Sequence, residues 1–161
     1  MPYLAPWAKY LLYAWLAGVC LAAAAHDART RRIPNKITYP TMLSLLAFHT
    51  ALGGLPGFSA SGLGLLAGIS ILLAPYALGK MGAGDVKLLG VVGAALGVSG
   101  AVTAFLFTCL AGGLQGVYYL ARRHTAQDAG RDGKMCYGLA IAAGAIAAMI
   151  WNLAGKAFIR F

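Results

Sequence analysis

Six apolar runs, at roughly residues 7–25, 37–52, 60–78, 86–98, 100–121 and 137–157, take up most of the chain and are separated only by short gaps. A helix of about 20 apolar residues crosses the hydrocarbon core of a bilayer. Inside that core every backbone polar group must be satisfied within the segment, which favours helices. The expected fold is therefore all-α: a polytopic membrane protein of about six transmembrane helices, forming a single membrane-embedded domain over residues 1–161. Composition agrees, since 60% of residues are hydrophobic and the mean hydropathy is +0.74, against roughly half apolar in a soluble domain. The second and fourth runs are short, so they must tilt little, borrow flanking residues or sit where the bilayer thins. The first run ends in small residues, Ala22 to Ala25, as a signal peptide would. Only Lys9 precedes it and more spans follow, so it is read as a retained helix.

A net charge of +9 could point to nucleic acid, but the basic residues lie in the gaps between apolar runs rather than on one face. Membrane topology accounts for them, and no nucleic-acid partner is expected. Four Lys and Arg follow the first run (Arg29, Arg31, Arg32, Lys36), two follow the third (Lys80, Lys87) and four follow the fifth (Arg122, Arg123, Arg131, Lys134). The second and fourth runs have none after them. By the positive-inside rule this alternation puts loops 1, 3 and 5 in the cytoplasm and both termini outside; Lys9, Lys156 and Arg160 near the ends do not outweigh it. Cys20, Cys109 and Cys136 have neither CxxC spacing nor a paired His, so they read as packing residues and no metal site is expected.

The acidic residues are the sharpest signal. Only Asp27, Asp85, Asp128 and Asp132 are present, with no Glu. The last two lie in a polar loop among Arg122, Arg123, Arg131 and Lys134, whereas Asp27 and Asp85 abut apolar runs, where charge is costly and is retained for a cavity or a site. Asp85 follows a glycine pair in Gly82-Ala83-Gly84-Asp85-Val86-Lys87. The topology places both carboxylates on the cytoplasmic face, and they can meet if the first and fourth spans are neighbours. Two adjacent carboxylates tend to share one proton. One can then act as base on a water while the other donates to a carbonyl oxygen, which is aspartic protease chemistry and calls for no cofactor. Gly82 and Gly84 would let the backbone bend into the site and a substrate strand approach. Taken alone, Asp85 could instead cap a helix or pair with Lys87 or Lys80. Because Asp85 begins a helix and Asp27 ends one, the helix dipoles favour Asp85 as the base and Asp27 as the proton holder, with Arg29, Arg31 and Arg32 opposing.

The gaps carry local signals. Pro34 stops one helix and biases Ile33 toward extended geometry, leaving Asn35 to cap the next. Gly53-Gly54-Leu55-Pro56-Gly57 reads as a turn, and Gly64 with Gly68 has the small-xxx-small spacing of close helix packing. Trp7, Tyr10, Tyr39, Tyr137 and Trp151 suit interfacial anchoring. His26, beside Asp27, could tune its proton but as a helix-end His at the interface reads as structural, and His49 and His124 have no evident acidic or metal-ligand partner.

Asp27 with Arg31-Arg32-Ile33-Pro34-Asn35, then Gly82 to Lys87, then Lys134 with Tyr137-Gly138-Leu139-Ala140-Ile141-Ala142-Ala143-Gly144, resembles the type IV prepilin peptidases, membrane aspartic proteases with a GxGD motif. The resemblance runs from the first apolar run to the last. It implies that Asp27 and Asp85 are the catalytic pair, and that the substrate is a prepilin or pseudopilin whose short basic leader is cut at the cytoplasmic face of a bacterial inner membrane. Gly82, Gly84, Lys87, Arg31 and Arg32 are the expected substrate-binding residues, the cations pairing with an acidic residue beyond the cut or, failing that, setting topology and binding anionic lipid headgroups. The chain is similar to the short forms of Flp/Tad-type pilus systems, without the N-terminal CxxC-bearing extension of longer members, so N-methylation of the product is not expected. Met135 and Cys136 depart from the family pattern, while Gly138 and the small residues after it fit it. The competing readings are a small proton-coupled transporter, which calls for carboxylates near mid-span, and a non-catalytic pilus or secretion assembly subunit, in which both aspartates are dispensable.

Overall fold

The computed structural model describes residues 4–30, 32–123 and 137–159. Four helices run in order: α1 (Pro6–Thr30), α2 (Asn35–Ala77), α3 (Ala83–Arg123) and α4 (Tyr137–Leu153). Among the described residues three helical stretches are long and apolar enough to cross a membrane, Pro6–Thr30, Asn35–Ala77 and Ala83–Tyr118. The chain is therefore a membrane-embedded, all-helical protein.

The six apolar runs reappear as six helical segments because α2 and α3 are each broken at one glycine. Gly54 (φ 58°, ψ −144°) interrupts α2 and Gly97 (φ 72°, ψ −179°) interrupts α3. Both torsions lie where an L side chain is strained, and glycine adopts them at little cost. Each break folds the chain back on itself. Gly57 lies against the backbone carbonyl of His49, and a Cβ on Gly93 would touch that of Ala101 at 3.4 Å. Residues eight apart in a straight helix would be about 12 Å distant. Pro56 falls at the start of the second α2 segment, where a missing N–H costs no helical bond.

The core is the first segment of α3. From Asp85 to Gly97 every residue is buried except Lys87, which is half-buried; a helix apolar all round belongs at the centre of a bundle. Its close neighbour is the second segment of α2, where Gly64 stands against the Gly93 backbone and Gly68 against that of Leu89. The small-xxx-small spacing is thus used for backbone contact. Ala83–Leu96 is only about 21 Å long at 1.5 Å per residue, short of a hydrocarbon core of about 30 Å, so its last carbonyls end among apolar groups. Side chains meet them: the Ser61 hydroxyl donates to the Ala94 carbonyl at 2.8 Å, and His49 hydrogen-bonds the Ala95 backbone. His49 has the structural role expected of it. Below this end the chain tail folds under, with Phe158 3.5 Å from where a Gly100 Cβ would stand and the Ile159 N–H donating to Thr103 Oγ1.

α1 packs chiefly on α4, and α4 on α3, where Gly144 admits Thr108 and the Ala104 carbonyl. Outward faces are apolar, with Leu55, Leu78, Leu110 and Leu114 exposed, as are the anchoring candidates Trp7, Tyr10, Tyr39 and Trp151. One local expectation is overturned. Pro34, in extended geometry, occupies the N-cap of α2 with no side-chain capping bond, and Asn35 turns its side chain to Lys87 instead. Cys20 is buried and Cys109 exposed. Cys136, His124, Asp128, Asp132, Arg131 and Lys134 lie outside the described residues.

Candidate active site

Asp27 sits in the last turn of α1 and Asp85 in the first turn of α3. They are 6% and 8% exposed, and both line one cavity of about 320 Å³ together with Gly82, Ala83 and Gly84. Residues from the end of the first apolar run and the start of the fourth thus share one cavity. This is brought about less by direct packing of α1 on α3 than by α4, which contacts both.

Each carboxylate is held by a backbone N–H. Gly82 N–H donates to Asp85 Oδ2 at 3.1 Å. Gly82 directly precedes α3 and Asp85 is its third residue, so the side chain reaches back to the N-cap amide as the acidic arm of a capping box does. The capping role considered for Asp85 is real, and it fixes the carboxylate in the cavity wall. Asp27 Oδ2 accepts the N–H of Gly138 at 3.1 Å across 111 residues of chain separation. Gly138 is the second residue of α4, one of the amides a helix leaves unsatisfied. This contact corrects the helix-end reading of the pair. Asp27 ends α1 but also faces the start of α4, so both carboxylates lie at a positive helix end and the dipoles do not separate base from proton holder.

The linker between α1 and α2 forms the opposite wall. Ile33, 9% exposed, lies against Gly84, where a Cβ would stand 2.9 Å from the Ile33 Cβ. The space above Gly84 is thus filled by the chain's own linker, not left open to a substrate strand as expected. Gly82 is exposed, and a Cβ there would meet the Asp85 Oδ2 atom at 3.2 Å. Lys87 Nζ donates to Asn35 Oδ1 at 2.9 Å and lies 4.7 Å from the centre of the Tyr39 ring, a cation–π contact. Its partners are thus on α2 rather than Asp85. Arg32 is exposed and lines the cavity with Lys87, so two basic residues share the cavity with the two carboxylates. Arg31 lies outside the described residues, and His26 is exposed on α1.

Three residues that frame the site had no part in it assigned from sequence: Ile33, Asn35, which was read only as a helix cap, and Gly138. The signal available for them was their place in the three spaced motifs, which carries no geometry. Among the described residues no group of three or more His, Cys, Asp or Glu side chains gathers to hold a metal ion. What the geometry provides is one cavity lined by two buried carboxylates.

The chain is similar to known proteins. A prepilin leader peptidase/N-methyltransferase of Bacillus subtilis (strain 168) is 34% identical over 134 residues, which cover 82% of this chain and 52% of the relative. The chain thus spans about half the length of that curated relative. No solved structure matches it. The type IV leader peptidase family matches residues 14–117, more than half of the chain and a stretch holding both Asp27 and Asp85, and the chain belongs to that family.

Proposed function

We propose that this protein is an intramembrane aspartic endopeptidase that removes the short basic leader of type IV prepilins or pseudopilins at the cytoplasmic membrane face, with Asp27 and Asp85 as its catalytic pair. The observation that carries the reading is the shared cavity: two carboxylates from the ends of α1 and α3, both buried, open onto one space of about 320 Å³. One ionised carboxylate takes a proton from water, which attacks the scissile carbonyl carbon. The other, protonated, donates to the carbonyl oxygen as the tetrahedral intermediate forms, and the pair returns a proton to the leaving amine as the C–N bond breaks. The cytoplasmic orientation rests on the Lys and Arg bias of the first, third and fifth gaps, with six spans and both termini outside. Six helical segments fit that count. The carboxylates' place at helix ends suits a cut beside, rather than within, a substrate's apolar helix. Flp-type prepilins are the substrate class suggested by resemblance. Arg32 and Lys87 line the cavity where a substrate's acidic group would be met.

Co-expression with a candidate Flp-type prepilin tests this. Wild type, Asp27→Asn and Asp85→Asn are compared by the mass of the pilin N-terminus. Leader removal by wild type and by neither variant supports the pair, and methylation of the new amine is read in the same spectrum. Cleavage by both variants sinks the protease role of these residues and favours a transporter or assembly subunit.

A further inference from the structure

α4 meets the site at its N-terminal end. Its second residue, Gly138, gives its N–H to Asp27 Oδ2, while at the other carboxylate the Gly82 N–H holds Asp85 Oδ2 at the same 3.1 Å. The two sides differ in origin. Gly82 is three residues from the aspartate it holds, so that contact forms with the helix turn itself. Gly138 arrives from a separate helix, and its contact depends on how α4 packs.

We propose that Gly138 is a positioning residue: its N–H fixes Oδ2 of Asp27 and thereby turns the other carboxylate oxygen toward the cavity and the scissile peptide. This rests on the reading of Asp27 as catalytic. Glycine is required for steric reasons. A Cβ at position 138 would stand 2.8 Å from Asp27 Oδ2 and 3.1 Å from both its Cβ and its Cγ. All three are atoms of a buried side chain whose backbone sits in a packed helix, so the carboxylate or α4 must move. α4 has little freedom to move, because Gly144 lies against Thr108 and the Ala104 carbonyl of α3. The displacement therefore falls on the carboxylate. A misplacement of about 1 Å can cost about 100-fold in rate.

Two measurements test the role on the full chain in detergent micelles. First, kcat and KM are followed against pH for wild type, Gly138→Ala and, as a control for alanine in an open helical position, Gly113→Ala, which meets nothing within 4 Å. The probe is a synthetic peptide with a basic leader followed by the apolar start of a pilin. Gly138→Ala should lose about 100-fold in kcat, with KM within about twofold and the pH profile displaced; Gly113→Ala should match wild type. Because Asp85, Arg32 and Lys87 also face the cavity, and His26 and Arg29 flank Asp27 on α1, the second measurement isolates the contact. Tyr137-Gly138 is the one Tyr-Gly pair in the chain, so carbonyl-13C tyrosine with 15N glycine yields a single amide signal. That signal should titrate with pH in wild type and lose the titration in Asp27→Asn. Unchanged titration in Asp27→Asn, or wild-type kcat and pH profile in a folded Gly138→Ala, overturns the inference. Where Gly138→Ala does not fold, the amide signal decides. A wild type that cleaves no such peptide counts against the protease reading, and the amide titration then tests the Asp27 contact by itself.

Discussion

Ile33 lies in the space that a side chain on Gly84 would need: a Cβ there would come within 2.9 Å of the Ile33 Cβ and 3.3 Å of its backbone nitrogen. Backbone cannot yield as a flexible side-chain end does, so Gly84→Ala should overpack this contact at a cost of about 1–3 kcal/mol. Gly82→Ala, whose added methyl meets the Asp85 carboxylate at 3.2 Å, should leave the melting temperature nearly unchanged and act on cleavage instead. Thermal unfolding of both variants in detergent reads the difference. Equal melting temperatures for Gly84→Ala and wild type would mean that the linker gives way.

The contact between the two core hairpins is backbone on backbone, which sets a second expectation. Gly64→Ala would drive a methyl into the Gly93 carbonyl, and Gly68→Ala into that of Leu89. Each should destabilise by about 1–3 kcal/mol or more. Gly18→Ala, with nothing within 4 Å, should instead stabilise by up to about 1 kcal/mol through helix propensity. A ranking by melting temperature with Gly18→Ala above wild type and the other two below checks it. Tolerance of alanine at Gly64 would show that the hairpins can separate.

How much of this was readable in advance depends on distance along the chain. Apolar runs are local, so the six segments and the all-helical fold were legible, as was the exposure of Trp7 and Tyr10 at a helix end. The turns at Gly54 and Gly97 were only partly so. Gly53 to Gly57 is rich in turn residues, but Ser99 alone stands between the runs around Gly97, and both breaks prove to be single residues with positive φ. The two aspartates were legible because charge beside apolar sequence is rare. The groups that hold and wall them were not. Asn35 looked like a helix cap, yet its partner Lys87 is 52 residues away. Gly138 reaches Asp27 over 111 residues, and nothing in either local sequence marks such a pairing.

Lys87 illustrates two roles that one experiment separates. Its bond to Asn35 and its place over Tyr39 tie the N-terminal end of α3 to that of α2. If this strut is its contribution, Asn35→Ala and Lys87→Met should each lower cleavage, and the double variant should be little worse than either, with a coupling of about 0.5–1.5 kcal/mol. We expect this outcome. A charge swap tests substrate pairing separately: Lys87→Glu should lose cleavage, and partial recovery with a prepilin whose acidic residue is replaced by Lys would assign the cation to the substrate.

The last expectation concerns pH. Two carboxylates on one cavity interact, so their protons leave in two steps that belong to the pair. Catalysis needs the state with one proton: below the first step neither carboxylate can take a proton from water, and above the second neither can donate to the carbonyl oxygen. The rate against pH should therefore rise and then fall. Loss on the acid side reports the need for a base and loss on the alkaline side the need for an acid. Asp27→Asn and Asp85→Asn each remove one partner, and each should lower kcat by about 100- to 10,000-fold, the range of general acid–base contributions. Any residual rate should keep only one limb. Measuring kcat/KM for a leader peptide against pH in wild type and both variants checks this. A wild-type profile with a single limb would mean that only one carboxylate titrates in the reaction, and would require a partner other than the second aspartate.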